Sequence, residues 1–292
     1  MDREDAIDRI QKIVPMLRHD VETAILSHEV MEAQNAIVPK GLEGQHTDFV
    51  HTYGAIQNAL VLKLALDVAR VFDFSLRYPV ERQDMASIPV LGMLLDVAGV
   101  VDELTARASS WISGIEWAND NDGDRSAEVE AAAIKILGDE QTADKETCKS
   151  ALAEFAILAN RLSDPTSAEA SALSRVKGFR NRRLAHSLFN KEPDAYPKYE
   201  DLTLLLDMAK MAARLSSLAV EGLHVDFADQ MSRNRTNAEG YARLVLEGLK
   251  RSAQGPRAVK DALEAACFRA PRRPPASFGS WTPTSVQSKL PG

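Results

Sequence analysis

The sequence predicts an all-α protein, an up-down bundle of long helices, and three observations predict it. Apolar residues recur at the three-to-four spacing of a helix face along almost the whole chain. No stretch alternates apolar and polar residues as a half-buried strand does. Proline and glycine gather at a few places between long periodic runs, as expected of helices joined by loops. With 292 residues and 45% hydrophobic content, the chain can bury a substantial core.

Taken in order, Pro15 falls early in a helix that continues through "MLRHDVETAILSHEVMEAQNAI", at a first turn or a kink where its missing N–H matters least. "VPKGLEGQH", Val38 to His46, reads as a loop because it holds one proline and two glycines. Thr47 and Asp48 then cap a long helix from Phe49 to about Phe74. Ile56, Leu60, Leu64, Val68 and Val71 line one face of it, and Val61, Leu62, Leu66 and Phe72 widen that face. Such a helix is expected to be buried against its own domain and against a second subunit. Lys63, Asp67 and Arg70 interrupt its apolar run, so it is a core helix and not a membrane span.

Tyr78 to Pro89 reads as a loop, and "VLGMLLDVAGVVDELTARASSWISGIEWA" gives one or two further helices. The acidic loop "NDNDGDRSAEVE" leads into a short helix ending near Gly138, and another helix runs from about Asp144 to Leu162. "SDPTSAEASAL" supplies a stop and a fresh cap for a helix over about Ala168 to Phe189, which "NKEPDAYP" closes. "YEDLTLLLDMAKMAARLSSLAVEGL" is a further long helix. Beyond His224 the pattern weakens, although "NAEGYARLVLEGLKR" and "AVKDALEAACF" still read as helices. The end, "APRRPPASFGSWTPTSVQSKLPG", has the composition of a disordered tail.

The formal net charge is −7 and the isoelectric point about 5.5, which excludes a protein coated in basic surface for non-specific DNA binding. A local cationic cleft remains compatible with that total, because a focused field depends on where the charges sit. Cys148 and Cys267 stand far apart with no CxxC partner and read as two free thiols in a reducing cytoplasm. The acidic, amphipathic start "MDREDAIDRIQKIV" is unlike a signal peptide.

One segment departs from this pattern. "RVKGFRNRRLAHSLF", Arg175 to Phe189, holds five cations and one histidine and no acid. On an ideal helix Leu173, Val176, Leu184 and Leu188 form an apolar arc, and Arg180 falls in its middle. A guanidinium aimed at a core or interface costs several kcal/mol unless it is paired or binds an anion. His186 lies about 120° around and about 9 Å along from Arg180, so the two meet through the reach of the arginine or across a two-fold axis. Asn181 is a hydrogen-bonding side chain at the edge of that surface. These residue types suit phosphodiester cleavage of RNA. A near-neutral histidine takes the 2′-hydroxyl proton, and an arginine stabilises the phosphorane. The bland alternatives are a structural histidine and a solvated charged face.

"FRNRRLAH" resembles the signature of the HEPN superfamily (higher eukaryotes and prokaryotes nucleotide-binding). It is most similar to the branch found in abortive-infection proteins of the Abi U type. That branch also carries a long apolar helix ending in phenylalanine and aspartate, matched here by Phe72 and Asp73. The resemblance covers roughly Met16 to Leu223 with a candidate insertion at 119–146, so the chain divides into a HEPN-like bundle over 1–226, a C-terminal helical extension at 227–268 read from its pattern, and a tail at 269–292 read from its composition. It further implies a homodimer with two motifs facing one cleft, acting as a metal-independent endoribonuclease, toxin or phage-defence effector. Arg180 and His186 would be catalytic with Asn181 in support, and Arg175, Lys177, Arg182 and Arg183 would guide RNA or simply keep the surface soluble. No cofactor is expected; an antitoxin or regulatory protein is a candidate partner. Some relatives place a modifiable tyrosine two residues after the histidine, where this chain has Leu188.

Two alternatives stay open on the sequence. One is a non-catalytic HEPN module that binds RNA, a nucleotide or a partner protein. The other is a helical scaffold in which Arg180 pairs with Asp67 or Asp73. Tyr53 and Phe179 read as core residues before base-stacking ones. "NDNDGD" fails as a calcium loop, since Ala118 and Val129 fall where carboxylates are needed. His46 and His51 lack zinc-protease spacing, and no P-loop, dinucleotide fingerprint or nucleophile elbow is present.

Overall fold

The computed structural model describes residues 1–43, 50–75, 77–111, 127–181 and 197–252, with the backbone alone for 127–130. Among these residues there are eight α-helices and no strand. The helices are α1 (Arg3–Gly41), α2 (Val50–Val71), α3 (Ile88–Leu95), α4 (Val100–Ala108), α5 (Ala127–Ser163), α6 (Ala168–Phe179), α7 (Tyr199–Glu221) and α8 (Phe227–Ser252). The all-α bundle expected from the periodicity is therefore the observed fold.

α1 is the spine. Asp2 caps it by accepting from the Asp5 N–H at 2.8 Å, and it then runs 39 residues, about 58 Å. Pro15 sits in its interior, not in a first turn, and Pro39 sits in its last turn, where the sequence suggested a loop. The reason lies in burial. Ile7, Ile10, Val14, Leu17, Val21 and Ile25 form one unbroken buried stripe. Packing on both sides of Pro15 outweighs the ~3 kcal/mol that a proline costs inside a helix. α2, α7 and α8 all lie against this spine. Leu64, Val68 and Phe72 of α2 and Leu205, Ala209 and Ala212 of α7 meet it in the main core. Leu91 and Leu94 of α3 and Phe155 of α5 join them.

Three further boundaries differ from the sequence reading. Tyr78 to Pro89 contains a single 3-10 turn at Val80–Arg82, and Pro89 already belongs to the first turn of α3. The candidate helices on either side of Gly138 are one 37-residue helix, α5. No residue between 131 and 147 is buried, so the first half of α5 stands away from the core. The helix after His224 begins at Phe227, which joins the main core. The rest of α8 packs on the end of α1 through Ala238 and Ala242 against Ala33 and Val38.

Gly99 marks the break between α3 and α4 with φ +79°, and Gly222 ends α7 with φ +64°. At the second of these, Leu223 N–H reaches back to the Ser217 carbonyl at 3.2 Å, as in a Schellman end. No helix among the described residues is long and apolar enough to cross a membrane.

Candidate functional site

The site is built where the end of α6 meets the end of α2. Ser167 caps α6 by accepting from the Ala170 N–H at 2.9 Å. Ala172, Leu173 and Val176 are buried and seat the helix on the core. The spacing from Val176 then carries Arg180 inward, as its place in the apolar arc requires, and its side chain is 20% exposed. Arg180 Nη1 donates to Asp73 Oδ2 at 2.8 Å, and its Nε donates to Asn181 Oδ1 at 3.1 Å. Of the two partners named from the sequence, Asp73 is the observed one. Asp67 instead accepts from Lys63 and from Ser27 Oγ. This pairing is the contact that the scaffold reading names, but the pair is not sealed as that reading requires, for Arg180 is 20% and Asp73 31% exposed.

Asp73 itself is fixed from behind. Its carbonyl accepts from the Ser87 hydroxyl, and Ser87 is fully buried at the start of α3. The turn after it is tied by Gln83, also buried, whose Nε2 donates to the Ser75 and Tyr78 carbonyls while its Oε1 accepts from the Ser75 N–H. Arg9 in turn holds the Val80 and Gln83 carbonyls from α1. Sequence reading missed Gln83 and Ser87 in these roles; polar residues bounding a short irregular stretch were the available signal.

Lys177, one turn before Arg180, lies with Nζ 4.7 Å from the centre of the Phe74 ring. Burial holds its ammonium below the ordinary lysine range; Asp73 opposes that shift and Arg180 adds to it. Among the described residues, two cations thus stand beside the one carboxylate of Asp73, which is paired with Arg180.

Arg175 is placed differently. Its Nε and Nη2 make a bidentate pair with Asp201 at 2.8 and 2.6 Å. Asp201 Oδ2 also accepts from the Lys198 N–H at 2.8 Å and so closes the first turn of α7. The Arg175 guanidinium and the Lys198 N–H hold the Asp201 carboxyl below the usual carboxylate range, and burial only partly opposes them. One carboxylate thereby joins the end of α6 to the start of α7, the two ends of the segment that contains the motif. The tie spans 26 residues, and no sequence pattern signals it.

Arg182, Arg183 and His186 lie outside the described residues, as does Leu188. Tyr53 donates to the Gln34 carbonyl at 3.0 Å, and burial pushes its hydroxyl up, so it is a packed structural residue. Phe179 is half-buried at the end of α6. Cys148 is free and buried, its thiol raised by burial and directed at the Ala219 carbonyl at 3.3 Å. Among the described residues no group of acidic, histidine or cysteine side chains is arranged to hold a metal ion.

This all-helical bundle, with its long apolar helix α2 leading to Phe72 and Asp73, has the fold that the HEPN resemblance implies. The chain belongs to the AbiU2 family of HEPN proteins, matching it over residues 7–241 and so over most of its length. The family is associated with abortive infection. The match covers α1 through the first half of α8. Comparison with curated proteins and with solved structures finds no match in either.

Proposed function

We propose that this protein is a metal-independent endoribonuclease that acts as a toxin or defence effector, with an active site completed by a second copy of the chain. The observation that carries the reading is the Arg180–Asp73 pair, which is partly open to solvent and has Lys177 beside it. A guanidinium held at two points is pre-aimed, so its remaining N–H donors meet phosphate oxygens with little loss of freedom. His186, six residues on, takes the proton from the ribose 2′-hydroxyl, and O2′ attacks phosphorus. The bond to the 5′-oxygen breaks, and the partner subunit's His186 returns a proton to that oxygen. The products are a 2′,3′-cyclic phosphate and a 5′-hydroxyl. Arg180 offsets the charge that builds on the non-bridging oxygens. Asn181, bonded to Arg180 Nε, keeps the fork oriented.

The test is incubation of the purified chain with single-stranded RNA in EDTA. The expected result is cleavage that leaves a cyclic phosphate. His186→Ala is expected to lower the rate about 10²–10⁴-fold, and Arg180→Ala about 10²–10³-fold. Asp73→Asn keeps the shape but frees the guanidinium, and is expected to lower kcat by about 10-fold while RNA affinity holds. Full activity in the His186 and Arg180 variants, or an absolute need for added metal, would overturn the proposal.

The corner also allows a second reading, because Arg180 and Lys177 together can hold an anion without cleaving it. In that case RNA or nucleotide binding is lost in Arg180→Ala, is kept in His186→Ala, and no turnover is seen.

A further inference from the structure

Arg175, Lys177 and Arg180, the cations at the end of α6, are put to different uses. Arg175 turns both sides of its fork to Asp201 and so faces α7. Arg180 is joined to Asp73 and Asn181. Lys177 forms no salt bridge with a described residue, although Asp73 stands near enough to act on its charge.

Lys177 is nonetheless held in place. It lies three residues before Arg180, on the same side of α6. Its ammonium sits over the Phe74 ring, and its side chain is partly buried. Phe74 directly follows Asp73, so consecutive residues steer the two cations, one with an aromatic face and one with a carboxylate. Both supports are firm. Phe74 packs against the main core, and the buried Ser87 hydroxyl donates to the Asp73 carbonyl.

A partly buried ammonium is costly unless an anion answers it. α6 packs on α2, α5 and α7, and its described ion pairs with these elements leave Lys177 out. Asp73, just beyond α2, bonds Arg180; Asp201 of α7 bonds Arg175; Arg161 of α5 meets Glu169 at the opposite end of α6. The charges that act on Lys177 are therefore Asp73, which favours its proton, and Arg180, which opposes it. Burial outweighs both. One forked cation and one compact cation on a single helix face suit a phosphate group, whose oxygens can accept from each.

We propose that Lys177 is a second catalytic cation of this site and holds the scissile phosphate together with Arg180. The inference rests on the nuclease reading and adds to it a group that lies outside the arginine–histidine pattern. As O2′ attacks phosphorus, charge builds on both non-bridging oxygens, and one cation meets each. Lys177 keeps its protons throughout; the proton transfers stay with the two histidines. A lysine that merely guides RNA along an outer surface would be solvated, and its loss would weaken binding alone.

The test uses the full chain, a cleavable single-stranded RNA in EDTA, and its 2′-O-methyl twin, which binds but has no free 2′-hydroxyl to attack. Lys177→Met keeps the stem and its contact with the Phe74 ring, and circular dichroism checks that the fold is retained. Its single-turnover rate is expected to fall about 10²-fold, while its affinity for the 2′-O-methyl RNA falls by less than about 10-fold. Lys177→Arg restores the charge and is expected to regain at least about 10-fold of the lost rate. A third readout is NMR of the ¹³C-methylated lysines, with Lys177→Arg identifying the signal. The Lys177 midpoint is expected below the ordinary lysine value of about 10.4, and is expected to rise when the 2′-O-methyl RNA is added. An unchanged rate in Lys177→Met, a loss confined to affinity, or a Lys177→Arg rate as low as that of Lys177→Met overturns the proposal. So does a Lys177 midpoint that RNA leaves where it was. If the wild type cleaves nothing, the nuclease reading falls and takes the catalytic role with it; the NMR shift then still decides whether Lys177 and Arg180 hold a phosphate.

Discussion

Asp73 and Asp201 each meet an arginine at the C-terminal end of α6, but burial sets them apart. Asp73 and Arg180 both keep contact with water, so the pair is worth little to stability and its interest is orientation. Asp201 is 7% exposed and is satisfied by a bidentate Arg175 and by a backbone N–H. Removing its charge leaves a guanidinium poorly answered, while the asparagine oxygen can still accept from the Lys198 N–H, so Asp201→Asn is expected to cost about 3 kcal/mol at neutral pH. The pH dependence follows from the direction of the shift. The carboxyl is depressed in the folded chain, so its contribution is fully present above the ordinary aspartate value near 3.8. It is lost as pH falls through the lower folded value. Urea midpoints at pH 7 and at about pH 3 measure this. The gap between wild type and Asp201→Asn should narrow at the lower pH, and a gap of constant size would show that the carboxylate charge is not the cause.

Elements were legible in the sequence where burial is continuous, and their junctions were not. The stripe Leu64, Val68 and Phe72 announces α2, and Leu205, Ala209 and Ala212 announce α7. Apart from the start of α8, the misread junctions involve glycine or proline whose local cost is overridden by the helix on either side. Gly138 shows the mechanism. A Cβ built there meets nothing within 4 Å, and the Gly138 carbonyl accepts from the Thr142 hydroxyl at 2.8 Å, so the position is ordinary exposed helix. Gly138→Ala is therefore expected to stabilise the chain by about 0.5–1 kcal/mol, read as a rise in thermal midpoint. Gly222 is the counter-case. Its φ is +64°, and a Cβ there would lie 2.8 Å from the Trp111 ring, so the same substitution lowers the midpoint. The site was legible to a similar degree. Arg180 stood out because a charge in an apolar arc violates the helix pattern, and Asp73 was one of two named partners. Lys177 beside Phe74, the Gln83 tie and the Arg175–Asp201 clamp depend on contacts between distant parts of the chain, which periodicity does not encode.

At the scale of the whole molecule, the question is what fixes α8 to the bundle. Its apolar contact with α1 is centred on Ala33, Val38, Ala238 and Ala242, with Ile37, Val245 and Leu249 around them and Leu246 lying against Gly41. A second constraint is electrostatic. Glu29 of α1 is fully buried, and its Oε2 accepts from Arg235 Nε of α8 at 2.7 Å. Its Oε1 has no hydrogen-bond partner among the described residues; the nearest donor is His28 Nδ1 at 3.5 Å. A buried carboxylate this poorly satisfied depends on its one cation, and that cation belongs to α8. Arg235→Met is expected to destabilise the chain by about 2–4 kcal/mol, the cost of stranding a buried charge and not the worth of the pair. The loss should be localised, with amide exchange accelerating along α8 before the rest of the bundle. Arg243→Met, which breaks an exposed pair with Glu239 on the same helix, is the control and should change stability by less than about 0.5 kcal/mol. Glu29→Gln added to Arg235→Met removes the stranded charge and is expected to recover about half of the loss. Should Arg235→Met match the control, α8 is held by its apolar contacts alone, and the carboxylate finds water as the helix stays in place.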